Sequence, residues 1–309
     1  MQVDHRFVVT EPAKVLYLAG WGRSGSTILN RLLVGDHVVG VGELRLLWQR
    51  GVVQRQDCSC GHPWDECKLW NPVVRTVLGD RADTAPGDGA QLVRAAQEAK
   101  RLHDLGQRAG RTIARRPNDL DGVAGEYAKV LGDLYRGIAE HTSARLIVDS
   151  SKSPTHALLA RASGADITVV HLVRDPRAVV WSHQRAKAPP PGATANTTEQ
   201  HGPLYVSTRW AVRNSFIDRR VEPDLRIRYE DMVAETEKTT KMIFAAAGID
   251  VPPEAGGIEH LIAGNPDRFE ATRPGVLSED AEWRVAQPGR QKRVTTLVAG
   301  RVMRRYDYT

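Results

Sequence analysis

Lysine is scarce in this chain: nine of its 43 basic residues are lysine and the rest are arginine. No run of 18 or more apolar residues occurs in the 309-residue sequence, so no segment reads as a membrane span. The opening residues, Met1 to Lys14, carry acids and no apolar h-region. A secretory signal is therefore not expected, and a cytoplasmic location is. Aromatic residues make up only 6% of the chain, and no aromatic–basic pattern recurs. The net charge of +6 is dispersed among Asp and Glu, so a nucleic-acid partner is not expected. Cysteine occurs at three positions only, Cys58, Cys60 and Cys67. What remains is a chain 41% hydrophobic, long enough to bury a substantial core as one α/β domain with insertions.

The most informative absence is a single lysine. Val15 to Leu33 reads VLYLAGWGRSGSTILNRLL: a short apolar run, a glycine-rich turn, then a helical apolar pattern. That is the order of a phosphate-binding strand, loop and helix. Aligning Gly20 and Gly25 with the glycines of G-x-x-x-x-G-K-S/T puts Ser26 at the lysine position and Thr27 after it. Backbone N–H groups and a helix N-terminus remain available to an anion. The lysine that reaches the β- and γ-phosphates of a nucleoside triphosphate is missing, and Arg23 is the only cation in the turn. The pattern points to a nucleotide other than Mg-ATP or Mg-GTP.

Three further segments read as buried strands: Arg145–Asp149, Ile167–Val173 and Leu225–Tyr229. Helical patterns cover Gln91–Arg116, Val123–His141, Thr155–Ala162, Arg177–Lys187, Val206–Val221, Met232–Ala247 and Gln291–Arg305. The alternation implies a three-layer α/β fold, a mainly parallel central sheet flanked by helices, with ligands at the carboxyl ends of the strands. A helical insertion is expected around 91–141 and a linker over Gly79–Ala90. Ala188–Pro203, rich in proline and glycine, reads either as a mobile substrate lid or as a surface loop.

After the strand ITVVHLV come Arg174, Asp175 and Pro176, with Ser182 eight residues beyond Arg174. Pro176 suits a first helical turn. An arginine and a hydroxyl converging there can hold a second phosphate. Together with the altered loop, this element resembles the sulfotransferases that use 3′-phosphoadenosine-5′-phosphosulfate. Their basic–hydroxyl–glycine–hydroxyl–hydroxyl loop corresponds to Arg23, Ser24, Gly25, Ser26 and Thr27, and their Arg-Asp-Pro element with its distal serine to Arg174 through Ser182. The resemblance continues at Asp149–Lys152, at Arg228–Asp231 and at Gly264–Pro266 with Arg268, spanning about Val15 to Trp283.

The resemblance implies sulfuryl transfer from that donor to a hydroxyl of a small-molecule, glycan or glycolipid acceptor, with no metal required. Arg23 and Lys152 become the candidates for stabilising charge on the departing 5′-phosphate. Arg174 and Ser182 would hold the 3′-phosphate, with Arg268 reaching the same end and Tyr229 and Trp210 flanking the adenine. Phenol and steroid sulfotransferases place a catalytic histidine where this chain has Pro154. Glu43, 20 residues after Arg23, is then the first candidate for general base, ahead of Asp149 and His156. Two other readings compete: a nucleotide-dependent kinase with a degenerate loop, and a non-catalytic nucleotide-binding protein. Cys58, Cys60, His62 and Cys67 could make a structural zinc site at this spacing, but free thiols and a local disulfide rank ahead of it, a cytoplasmic setting disfavours a stable disulfide, and no metal is assigned. Trp48, Trp64 and Trp70 read as stacking platforms for an acceptor ring or as core. Oligomeric state is not legible.

Overall fold

A computed structural model describes residues 12–78, 123–185, 200–249, 259–262 and 279–309. Strand β1 (Lys14–Gly20) is buried on both faces, as the central strand of a parallel sheet must be. β2 (Val38–Gly42), β3 (Leu146–Lys152), β4 (Asp166–Val173), β5 (Leu225–Arg228) and β6 (Glu259–Ile262) complete a six-stranded sheet. Its order is β5-β4-β1-β3-β2-β6, with every pairing parallel.

Successive residues of β1 feed opposite cores. Val15, Tyr17 and Ala19 face a layer that includes α2 (Trp70–Leu78), α3 (Val123–Thr142) and α4 (Pro154–Arg161). Leu16 and Leu18 face α1 (Ser26–Leu33), α7 (Tyr229–Ala234) and α8 (Thr236–Ala246). Each such leucine contributes about 1.5–3 kcal/mol of burial free energy. A third cluster packs α5 (Pro176–Gln184), α6 (Pro203–Phe216) and α10 (Gly289–Met303) around Val173, Trp210 and Met303, with the short α9 (Trp283–Ala286) beside it. The expected three-layer α/β architecture is therefore present. No helix among the described residues is long and apolar enough to cross a membrane.

The chain leaves β1 towards β2 and leaves β4 towards β5 on the other side. Connections that diverge from adjacent strands open a crevice at their carboxyl ends. Gly20 at the end of β1 pairs with Leu172 near the end of β4, so the loop after Gly20 and the segment after Val173 line the same crevice.

Several elements differ from expectation. β2, β6, α2 and a π-helical turn over Leu47–Val53 carry no sequence expectation. The helix expected over Val206–Val221 starts earlier, at Pro203, and closes in a π-turn over Ile217–Val221. The helix expected over Met232–Ala247 is broken at Glu235, whose φ of −129° is not helical. Trp48, Trp64 and Trp70 are all buried core residues, so none serves as an exposed platform. Gly79–Ala90, Gln91–Arg116, most of Ala188–Pro203, and Arg268 with Gly264–Pro266 lie outside the described residues.

Candidate active site

The loop after β1 is shaped for an anion. Gly25 takes φ 90°, a left-handed conformation that favours glycine, and a Cβ there would lie 2.6 Å from the Tyr229 ring. The glycine lets the chain turn straight into α1. That helix begins with no side-chain cap and no acidic residue in its first turn. Its first N–H groups have no partner within the helix, and no acidic residue of its first turn competes for them. Ser24 is buried, and its hydroxyl has no hydrogen-bond partner among the described residues. A buried orphan hydroxyl beside an uncapped helix fits a phosphate or sulfate oxygen. Ser26 is buried and Thr27 half-buried at the head of α1. Arg23 holds φ 67° in the same turn.

The second group converges from β2 and β3. Gly42 turns the chain sharply at φ 75°, where a Cβ would meet the backbone of Ile262 at 2.8 Å. The next residue, Glu43, donates its N–H to the Ile262 carbonyl at 3.1 Å. Its carboxylate is not spent as a helix cap. One oxygen accepts from Lys152 Nζ at 2.7 Å and the other from Arg45 Nη2 at 2.8 Å. Burial pushes this carboxyl up, but Lys152 and then Arg45 outweigh it and hold the group at about 2. Lys152 ends β3 next to Ala19 of β1, at φ 63°. The sequence candidates Glu43 and Lys152 are thus in direct contact, and Arg45 is a partner that sequence reasoning missed.

Asp149 fixes this corner from below. It is fully buried and accepts from the Ser151 N–H at 2.9 Å, the Ser151 hydroxyl at 2.5 Å and the Tyr135 hydroxyl at 2.8 Å. Ser151 in turn accepts from Arg45: its Oγ takes the Arg45 N–H at 3.0 Å, and its carbonyl takes Nε at 2.9 Å. Burial raises the Asp149 carboxyl to about 6, against these hydrogen bonds. With both oxygens engaged, Asp149 positions Arg45, which positions Glu43. His156 lies buried against the rings of Tyr17 and Tyr127, with centroids 5.9 and 6.2 Å away. Ser153 caps α4, its side chain accepting from the His156 N–H, with Pro154 at the first helical position.

Arg174 leaves β4 and reaches the loop. Its Nη1 donates to the Arg23 carbonyl at 3.1 Å, and Nη2 to Asp280 Oδ2 at 3.1 Å. Its Nε is buried and has no partner among the described residues. The guanidinium lies 4.3 Å from the Tyr229 ring centroid, so Tyr229 is a shelf between Gly25 and Arg174. Trp210 is fully buried and donates its Nε1–H to the Arg174 carbonyl at 3.1 Å. That holds Arg174 in place and takes Trp210 out of any adenine contact. Ser182 sits half-buried on α5, about two turns beyond Arg174.

Three more residues belong to the crevice and had no sequence signal. Arg213 of α6 stacks 4.9 Å from the Trp21 ring centroid; burial and then Arg45 lower its guanidinium to about 10. His183 of α5 faces Trp21, with centroids 6.3 Å apart. Burial, then Arg23 and His201, lower His183 to about 4, so it is neutral near pH 7. The lysine-poor sequence thus gathers Arg23, Arg45, Lys152, Arg174 and Arg213 around the carboxyl ends of β1, β3 and β4, with Glu43 and Asp280 as counter-charges. The charge of such an array suits a polyanion and opposes negative charge developing on one.

Away from the crevice, Cys58, Cys60 and Cys67 gather around His260 of β6. His62 instead lies exposed, 3.9 Å from Glu66.

The model of the family described as "Sulfotransferase family" matches residues 16–253 of this chain. No curated protein sequence matches. Two solved structures resemble the chain: the sulfotransferase domain from the Synechococcus PCC 7002 olefin synthase and the sulfotransferase domain from the curacin biosynthetic pathway. The first is 19% identical with a TM-score of 0.45, covering 100% of this chain and 98% of its own. The second is 18% identical with a TM-score of 0.49, covering 96% and 98%.

Proposed function

The chain belongs to the sulfotransferase family, and on that premise we propose that it moves a sulfuryl group from 3′-phosphoadenosine-5′-phosphosulfate to a hydroxyl of a small-molecule, glycan or glycolipid acceptor. One observation supports the donor most: the contact of Arg174 with the Arg23 carbonyl at 3.1 Å. It joins the two candidate anion sites, one at the head of α1 and one after β4, so that one nucleotide phosphorylated at both ends can lie across them.

The donor supplies the sulfuryl group and a bisphosphate leaving group; the chain supplies orientation, charge and a proton acceptor. The α1 N-terminus and the Ser24 hydroxyl hold the 5′ end. The Nε of Arg174, without a partner among the described residues, would donate to a 3′-phosphate oxygen, with Ser182 on α5 after it. Arg23 and Lys152 oppose charge that builds at the leaving oxygen.

Glu43 takes the acceptor proton. Paired with Lys152 and Arg45 it is a weak base, held at about 2. Lys152 has three N–H donors, but engaging the leaving oxygen draws its ammonium charge away from Glu43. As it swings to the donor, Glu43 loses its stronger partner and its basicity rises. Proton removal is thereby coupled to occupancy of the donor site, which suppresses idle hydrolysis.

The test is release of adenosine 3′,5′-bisphosphate from the donor, with and without a phenol, an alkyl glycoside and a glycolipid. Release that depends on one of these acceptors is expected. No release with any of them, together with tight Mg-ATP binding, points instead to the kinase reading.

A further inference from the structure

We propose that Cys58, Cys60, Cys67 and His260 bind a structural zinc ion that clamps the edge strand β6 to the loop after the π-helical turn. The four ligand atoms lie within 4.8 Å of one another. Cys60 Sγ is 3.6 Å from Cys67 Sγ. His260 Nδ1 is 3.2 Å from Cys67 Sγ and 3.7 Å from Cys58 Sγ. Around a tetrahedral zinc, with Zn–S near 2.3 Å and Zn–N near 2.0 Å, the S···S and S···N edges come to about 3.8 and 3.5 Å. Three edges, at 3.2, 3.6 and 3.7 Å, are already close to that size, and all lie within 4.8 Å. A disulfide needs sulfurs about 2.05 Å apart, and all three cysteines are free.

The surroundings are those of a built site. Cys58 and Cys67 are buried, while Cys60 is exposed at the rim. The first two cysteines sit on a tight turn: the Gly61 N–H donates to the Cys58 carbonyl at 2.9 Å, and the Cys58 N–H to the His62 carbonyl at 2.8 Å. Gly61 takes φ 84° there. Cys67 arrives on the following turn, its N–H bonded to the Pro63 carbonyl at 2.9 Å. Between the cysteines, Ser59 docks onto β6: its N–H donates to the Leu261 carbonyl at 3.1 Å, and its Oγ accepts the Leu261 N–H at 2.9 Å. On the other side, Trp70 Nε1 donates to the His260 carbonyl at 3.0 Å. These bonds aim the His260 ring at the sulfurs, as outer contacts around metal ligands do.

β6 is a four-residue edge strand paired on β2, and a metal would add a tie from it to the neighbouring loop. Two residues beyond His260, the Ile262 carbonyl fixes the backbone of Glu43 at 3.1 Å. The zinc therefore tethers the strand on which the Glu43 backbone rests. His62, which the local spacing favours as fourth ligand, lies outside the cluster and exposed.

The test is metal analysis of the full-length protein purified without chelator, with thiols counted after unfolding. About one zinc per chain and three reactive thiols are expected. His260→Ala is expected to lose the zinc or bind it far more weakly, while His62→Ala keeps it. Where His260→Ala does not fold, cobalt(II) substitution of the wild type gives the same answer: absorption typical of tetrahedral thiolate ligation supports the site. Protein without zinc that takes up no cobalt, one thiol in place of three, or zinc lost on His62→Ala but retained on His260→Ala would each overturn the assignment. None of these readouts depends on sulfuryl transfer.

Discussion

Replacing Lys152 by methionine removes the stronger of the two cations that keep Glu43 ionised. The Glu43 and Lys152 side chains are 11% and 13% exposed, so solvent screens the pair weakly. Burial acts to raise the carboxyl, yet Lys152 and Arg45 bring it from 4.5 to about 2. A displacement of that size separates the two protonation states by roughly 3 kcal/mol. Two cations share it, and desolvation of the ammonium offsets part of the Lys152 share, leaving about 1.5–2 kcal/mol for the pair itself. A double-mutant cycle of Glu43→Gln and Lys152→Met, read by urea unfolding at pH 7, measures that coupling. The double variant is expected to be more stable than the two single losses predict, by about 1.5–2 kcal/mol. Because the folded carboxyl titrates below its unfolded value, its contribution is complete above about pH 5 and is lost as pH falls towards 2. Lys152→Met should flatten the wild-type loss of stability across that window. Single effects that add to within about 0.5 kcal/mol, with an unchanged acid limb, refute the reasoning.

Other perturbations probe the same geometry. Gly25→Ala puts a Cβ 2.6 Å from the Tyr229 ring at φ 90°; a rise of at least about tenfold in the Kd of adenosine 3′,5′-bisphosphate is expected by calorimetry, with the fold intact by circular dichroism. The pH profile of kcat/KM separates the two carboxylates. With Glu43 at about 2 in the free enzyme, the profile should be flat down to about pH 4, whereas a limb near 6 would transfer the base role to Asp149. Asp218, only 9% exposed, accepts from the Tyr306 hydroxyl at 2.6 Å, Arg226 at 2.8 Å and Arg305 at 3.2 Å. Asp218→Ala strands the Tyr306 hydroxyl while the part-exposed arginines can turn to water, and should cost about 1–3 kcal/mol in chemical unfolding; a loss below about 0.5 kcal/mol would show the network to be peripheral.

The strand, loop and first helix were legible because their signals are contiguous: an apolar run, Gly20 and Gly25 at fixed spacing, then a 3.6-residue apolar period. Arg174 was legible for a similar reason, since an apolar strand stops where Arg, Asp and Pro begin. β2 was not, because VVGVG carries two glycines that strand propensity counts against it. Gly40 is there to admit the Asn30 side chain, and Gly42 to admit the backbone of Ile262, both tertiary demands. β6 was hidden by brevity and polarity: Glu, His, Leu and Ile over four residues. The site divides along the same line. Glu43 and Lys152 could each be named, but their 2.7 Å contact joins residues 109 apart, and nothing local marks Arg45 as the third member. Trp210 has the composition of a ring-stacking residue and proves to be core, since a strand end needed a donor for the Arg174 carbonyl. The cysteine cluster shows the limit most directly: His62 lies two residues from Cys60 in sequence, whereas His260 reaches Cys67 from 193 residues away.

The two-phosphate site is tested most directly by calorimetric titration of the wild type and Arg174→Ala with adenosine 3′,5′-bisphosphate, adenosine 5′-phosphate and Mg-ATP. Micromolar or tighter binding of the bisphosphate alone is expected, about −8 kcal/mol or better. Arg174→Ala should weaken the bisphosphate far more than the 5′-phosphate. Preference for Mg-ATP, or equal losses for both adenosine ligands in the variant, would contradict the two-phosphate site on which the proposed transfer depends.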